Sequence, residues 1–182
     1  QDIAGEFIVD LGKIGIAIGG EALKTGRHAL GIIGLVGAVR MLISQGRDGR
    51  IPLSSGQGIV SFLIPVDSFA SFFGRNNLDD GRRTDLLAIC IVLPRAGSQR
   101  IRISACGIES KFVSGTLGIP RAHAALAQCL ATVTDFKKLL AISLRDGAMP
   151  ERLALLELIE FGLRIACPSR PSEIEQWVDI SR

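Results

Sequence analysis

Apolar positions along this chain fall into two rhythms, one helical and one extended. From about Gly20 to Gln45, residues Leu23, Leu30, Ile33, Leu35, Val39 and Leu42 form a broad apolar surface at helical spacing. The pattern predicts a long helix stopped by Gly46-Arg47-Asp48-Gly49. Its glycines lower helix propensity, so tertiary burial must stabilise it. Phe7 to Ile18 reads as either strand or helix. Gly58 to Val66 reads as a strand, with Pro65 forcing its end or an edge position. Asp67 to Phe73 reads as a helical turn, and Arg75 to Arg83 as a polar loop.

Asp85 to Leu93 is apolar after its first residue, the pattern of a strand buried on both faces. Pro94-Arg95-Ala96-Gly97-Ser98 predicts a hairpin turn, and Arg100 to Phe112 its partner strand. After a loop over 113–120, Arg121 to about Leu144 predicts a second long helix, with Pro120 tolerated in the first turn. Ala124, Ala127, Leu130, Val133, Leu139 and Leu140 are its expected inner face. Asp146-Gly147 stops it. A third helix is expected from Met149-Pro150-Glu151 to about Ile165, with a stripe through Leu153, Leu156, Ile159 and Leu163. Pro168-Ser169-Arg170-Pro171 breaks it, and Glu173 to Val178 adds a last turn or short strand. This order describes an α/β sandwich around a small mixed sheet.

At 182 residues the chain suits one domain, expected over 1–182 with a core at about 20–145 and a helical extension at 148–182. It reads as a unit excised from a larger protein. Hydrophobic residues make up 47% and charged residues 21%, as in an ordinary globular domain. The apolar run Ala29 to Val39 falls well short of the roughly 18–20 residues needed to cross a bilayer. It also carries Gly31, Gly34 and Gly37, and is read as a packed core helix rather than a membrane span. Gln1 to Leu11 has no basic region leading into an apolar core, so no secretory leader is expected. Cys90, Cys106, Cys129 and Cys167 form no CxxC pair and read as buried free thiols in a reducing cytoplasm, without a zinc site.

Charge changes the picture only locally. The net charge of +3 does not by itself argue for nucleic-acid binding. Arg75, Arg82 and Arg83, however, surround Asp85, while Arg95, Arg100 and Arg102 flank the following strand pair. They either track a phosphate backbone or solvate loop ends. Asp85 opens one apolar strand, and Glu109-Ser110-Lys111 closes its neighbour. Carboxylates at such positions are costly to desolvate unless paired or metal-bound. Side chains at i and i+2 of a strand share a face, so Glu109 and Lys111 are expected to point into one pocket, with Gly107 a candidate bulge. Two carboxylates on adjacent strands suit Mg²⁺, and Lys111 is placed to orient water or neutralise phosphate charge.

These residues resemble the PD-(D/E)XK nuclease superfamily over about Glu21 to Leu144. Asp85 matches the family Asp, and Glu109 with Lys111 the (D/E)XK pair. The resemblance implies a restriction-endonuclease-like α/β/α sandwich and a DNA-cleaving, Mg²⁺- or Mn²⁺-dependent activity. It further implies Gln128, in Ala-Leu-Ala-Gln-Cys-Leu, as the glutamine of the following helix, and Glu21 (alternatively Glu6) as a metal-site glutamate of the first. The implied catalytic set is Asp85, Glu109, Lys111 and Gln128, with Asp85, Glu109 and Glu21 on the metal and Arg82 and Arg83 on phosphate. More narrowly, Ile64-Pro65-Val66-Asp67, Phe72-Phe73 and Arg83-Thr84-Asp85-Leu86-Leu87 are similar to nuclease domains attached to FtsK/HerA-type ATPases in bacterial phage defence. That likeness implies an ATPase or translocase partner, a cytoplasmic setting and an optional homo-oligomer.

The chain departs from the literal family pattern because no proline precedes Asp85, while Pro65-Val66-Asp67 offers a competing metal ligand. Three alternatives remain open at this point. In one, Asp85 is a turn cap, Glu109 and Lys111 a surface ion pair, and Gln128 a polar helix residue. In another, the fold is catalytically silent and serves DNA binding or assembly. In the third it is a small-ligand α/β module. His28 and His123 read as structural, Trp177 as an anchor, and Thr132 and Thr134 as having no chemical context. No Walker A loop or GxGxxG motif is present.

Overall fold

Leu86–Val92 (β2) is apolar at every position, and it lies between two neighbours. In the computed structural model, described for residue 37, 59–69, 72, 83–92, 101–111 and 115–166, β2 is flanked by Ile59–Pro65 (β1) and Arg102–Ile108 (β3). Both pairings are antiparallel, in the order β1-β2-β3. The expected mixed sheet thus has only antiparallel pairs among the described strands. After the sheet come Ile119–Ser143 (α1) and Met149–Ala166 (α2). The architecture is α/β.

Alternation divides the sheet into two faces. Phe62, Ile64, Leu87, Ile89 and Ile91 line one and join Phe136 of α1 and Leu158 and Leu163 of α2 in a single core. On the other face Leu63, Leu86, Ala88 and Cys90 are at most 4% exposed, so β2 is buried on both sides as its composition predicts. Complete burial of such side chains stabilises by about 1.5–3 kcal/mol each. α2 approaches β1 closely at Gly162, where a Cβ would lie 2.1 Å from the Phe62 ring. A 3-10 turn at Val66–Phe69 follows β1. Its Phe69 packs edge-on against Phe161 of α2, with ring centroids 5.0 Å apart.

The helix faces match those expected in part: Leu139 and Leu163 are buried, and Val133 and Ile159 pack against the core. On α1 the buried residues are Thr132, Phe136, Leu139 and Ser143, whereas Leu130 is 60% exposed and Ala124 and Ala127 face solvent. On α2 Leu158 and Leu163 are buried, and Leu153 is 59% exposed. Both helices carry apolar residues around much of their circumference, so spacing alone does not select the inward side. Gly118 is the N-cap of α1, with Pro120 in its first turn. At its other end, Arg152 donates to the carbonyls of Ser143 at 2.7 Å and Arg145 at 3.0 Å. These bonds satisfy acceptors that a helix end leaves open. Gly147, at φ +79°, turns the chain into α2 through a conformation that glycine adopts without steric cost.

Of the helix expected over 20–45, only Gly37 is among the described residues, and it is helical. The segment 7–18, the hairpin turn 94–98 and the final element 173–178 lie outside them. Cys90 is buried as expected, but Cys106 is exposed and Cys129 intermediate. Cys106 alternates onto the outer side of β3, a strand whose exposure rises and falls residue by residue. Among the described residues, no helix is long and apolar enough to cross a membrane.

Candidate metal centre

Register brings the acidic residues to one end of the sheet. Pro65 pairs with Leu86 and Leu86 with Ile108, so the next residues outward are Val66, Asp85 and Glu109. Each tie at this edge comes from a different strand. The Val66 N–H donates to the Asp85 carbonyl at 3.1 Å. The Asp85 N–H donates to Glu109 Oε2 at 3.1 Å, and the Ser110 N–H donates to Asp85 Oδ2 at 2.7 Å. Each carboxylate therefore accepts a main-chain bond from the other's strand, which continues the ladder after regular pairing ends.

Glu109, Ser110 and Lys111 lie just past β3 rather than within it. Lys111 Nζ nevertheless pairs with Glu109 Oε1. The Glu109 side chain is 4% exposed and that of Lys111 is 36% exposed, so a shielded carboxylate meets an ammonium that reaches solvent. Gly107 forms no bulge, since pairing runs unbroken from Leu86–Ile108 to Val92–Arg102. Its role is close approach: a Cβ there would stand 2.8 Å from the backbone of Cys129, drawing α1 onto the sheet beside the site.

Burial pushes both carboxyl groups above their ordinary range. For Asp85, desolvation outweighs the Ser110 hydrogen bond and the Lys111 charge, and the Asp67 charge adds to the rise. For Glu109, desolvation outweighs its hydrogen bond to Lys111, and the Asp85 charge adds to the rise. Among the described residues, Asp67, Asp85 and Glu109 thus meet the Lys111 ammonium at this end of the sheet. Asp67, exposed in the 3-10 turn, lies near enough for its charge to act on Asp85.

From α1, Gln128 Nε2 donates to the Arg83 carbonyl at 3.3 Å, and Thr132 Oγ1 accepts the Thr84 N–H at 3.1 Å. Gln128 therefore meets the chain leading into Asp85. Arg83 is half-buried and His123 exposed on α1. Glu21, Glu6, Arg82, His28 and Trp177 lie outside the described residues.

Sequence reasoning missed Thr84, Ser110 and Thr132. The available signal was the spacing of Gln128 and Thr132, one turn apart on a helix.

Among the described residues no group of three or more His, Cys, Asp or Glu is arranged to hold a metal ion. Mg²⁺, however, binds through one or two carboxylates and retains several waters, so the hard oxygen donors of Asp85 and Glu109 fit it. No protein-family model, no curated protein and no solved structure matches this chain.

Proposed function

We propose that this chain is a divalent-metal-dependent nuclease domain with a restriction-endonuclease-like α/β/α fold. It hydrolyses a DNA phosphodiester bond as a cytoplasmic module of a bacterial defence or DNA-processing machine that includes an ATPase or translocase. The carrying observation is the Asp85–Glu109 pair on adjoining strand ends, with Lys111 on the second carboxylate.

In this reading Asp85 and Glu109 hold Mg²⁺ or Mn²⁺, which when bound supplies Lewis-acid polarisation of the phosphate and a more acidic water. Lys111 reaches solvent from a shielded partner, the position from which an ammonium neutralises charge developing on phosphate oxygens. The hydrogen bonds to the Asp85 and Ser110 amides orient the two carboxylates before substrate arrives. Gln128 steadies the Arg83 backbone, and Arg83 with Arg82 supplies positive charge toward the DNA backbone. Cys90, Cys106 and Cys129 are free thiols, which supports the cytoplasmic assignment.

A second reading rests on the same hydrogen bonds. Each carboxylate ties strand ends together, so the site also suits a catalytically silent domain used for DNA binding or assembly. Ile119, Leu126 and Leu130 on α1, 58–73% exposed, offer apolar surface for a partner.

Cleavage assays on single- and double-stranded DNA, with RNA as a comparison, separate the two readings. Mg²⁺- or Mn²⁺-dependent cutting that disappears in Lys111→Ala and Asp85→Ala while folding survives supports the nuclease. If neither the domain nor its full-length parent cuts with any divalent ion, the silent reading replaces it.

A further inference from the structure

Thr132 is 1% exposed, and its hydroxyl oxygen accepts the N–H of Thr84, which is equally buried. One turn earlier Gln128 donates to the Arg83 carbonyl. Consecutive residues leading into Asp85 are therefore held by their main chain to side chains at i and i+4 of one helix. Between those two side chains, Cys129 brings its sulfur to 3.6 Å from the Thr84 hydroxyl, and its backbone rests over Gly107. Packing alone gives no reason for threonine here. Valine has nearly the same shape, and a buried hydroxyl is costly unless hydrogen-bonded.

The segment 83–85 runs into β2 from outside the ladder, so its main-chain direction is set by what grips it. Thr132 supplies the acceptor that the Thr84 amide lacks before sheet pairing begins. The next residue is Asp85, whose carboxylate must meet the Ser110 N–H and whose amide must meet Glu109.

We propose that Thr132 is a positioning residue for Asp85: by holding the Thr84 N–H, it fixes the backbone that presents the Asp85 carboxylate to Ser110 and Glu109. The consequence for metal affinity rests on the function proposed above, whereas the placement of Asp85 does not.

The Ser110 amide reports that placement directly. Its hydrogen exchange, measured by NMR in metal-free full-length chain, is compared among wild type, Thr132→Val, Thr132→Ala and Thr132→Ser. Ile89 in the middle of β2 serves as the reference for global opening, and Thr134→Val as a control on the same helix. Alanine leaves room for water at the Thr84 N–H and keeps the test open where valine does not fold.

In Val and Ala, Ser110 exchange is expected to accelerate by about tenfold or more relative to Ile89. Thr132→Ser and Thr134→Val should behave as wild type. Mn²⁺ affinity, measured by calorimetry, should fall about tenfold in Val and Ala and recover in Ser, as for other groups that orient metal ligands. Ser110 exchange that is unchanged, or that merely follows Ile89, overturns the proposal. Wild type that binds no Mn²⁺ while Ser110 still responds upholds the positioning role and removes the metal reading instead.

Discussion

Asp85 and Glu109 hold each other's strands: Glu109 Oε2 accepts the Asp85 N–H at 3.1 Å, and Asp85 Oδ2 accepts the N–H of Ser110, the neighbour of Glu109, at 2.7 Å. The arrangement brings two carboxylates together where sheet pairing ends. Desolvation raises the pKa of both; the Asp67 charge adds to the rise of Asp85, and the Asp85 charge to that of Glu109. A site of this kind ties strand ends together while placing like charges close, at some cost in stability.

Neutralising either carboxylate should therefore separate stability from activity. Asp85→Asn and Glu109→Gln each keep an amide oxygen that can accept the same main-chain bond. Metal-free Tm near neutral pH should hold or rise by a few degrees at most, while cleavage falls about 100-fold or more. Thermal melts paired with single-turnover cleavage test this, and a large drop in Tm for Asp85→Asn would count against the electrostatic account.

The pH dependence has a definite sign. Both groups have folded-state pKa values above the ordinary 3.8 and 4.5, so the folded chain binds these protons more tightly than the unfolded chain. Their contribution to stability is full below the ordinary values and is lost as pH rises through the raised ones. Subtracting the stability profile of the Asp85→Asn/Glu109→Gln double variant from wild type should yield a difference that falls as pH rises through that window. Added Mg²⁺ or Mn²⁺ should reverse the loss at neutral pH, by about 2.7 kcal/mol at a concentration 100 times Kd, and have no effect once the carboxyls are protonated.

Lys111 serves both charge balance and folding. Its side chain is 36% exposed but that of Glu109 is 4% exposed, so Lys111→Ala should destabilise by about 1–3 kcal/mol, by leaving a shielded carboxylate without its partner. Cleavage should fall by about 100-fold or more. Lys111→Arg should recover little, because a planar fork replaces a compact point charge. Urea denaturation alongside cleavage rates distinguishes this from simple unfolding.

Two glycines provide a matched comparison. Gly107→Ala forces α1 away from β3 at Cys129, and Gly162→Ala forces α2 against the Phe62 ring. Each should destabilise by about 1–3 kcal/mol through overpacking. Only Gly107→Ala should also reduce metal-dependent cleavage by the folded fraction, because of these two glycines it is the one that meets the helix carrying Gln128 and Thr132. Equal specific activities in the two variants would show that α1 has no part in arranging the site.

β2 was legible because every residue of Leu86–Val92 is apolar, and burial on both faces admits little else. The helix boundaries were legible because Pro120 and Gly147 mark an N-terminal turn and a positive-φ stop. Helix orientation was less so: Leu130 and Leu153 belong to apolar surfaces too broad to reveal which side packs.

The sequence by itself determined the central strand, the helical segments after it, and the presence of Asp85, Glu109 and Lys111 at apolar-run edges. Local periodicity and local desolvation cost suffice for those. Only the tertiary structure decided that Pro65, Leu86 and Ile108 lie in line, bringing Asp85 and Glu109 to one edge with Asp67 near enough for its charge to act on Asp85. It alone made Gly107 a seat for α1 rather than a bulge and Thr132 a partner of Thr84. Those outcomes depend on strand register and helix rotation, which arise from contacts between residues far apart in the chain.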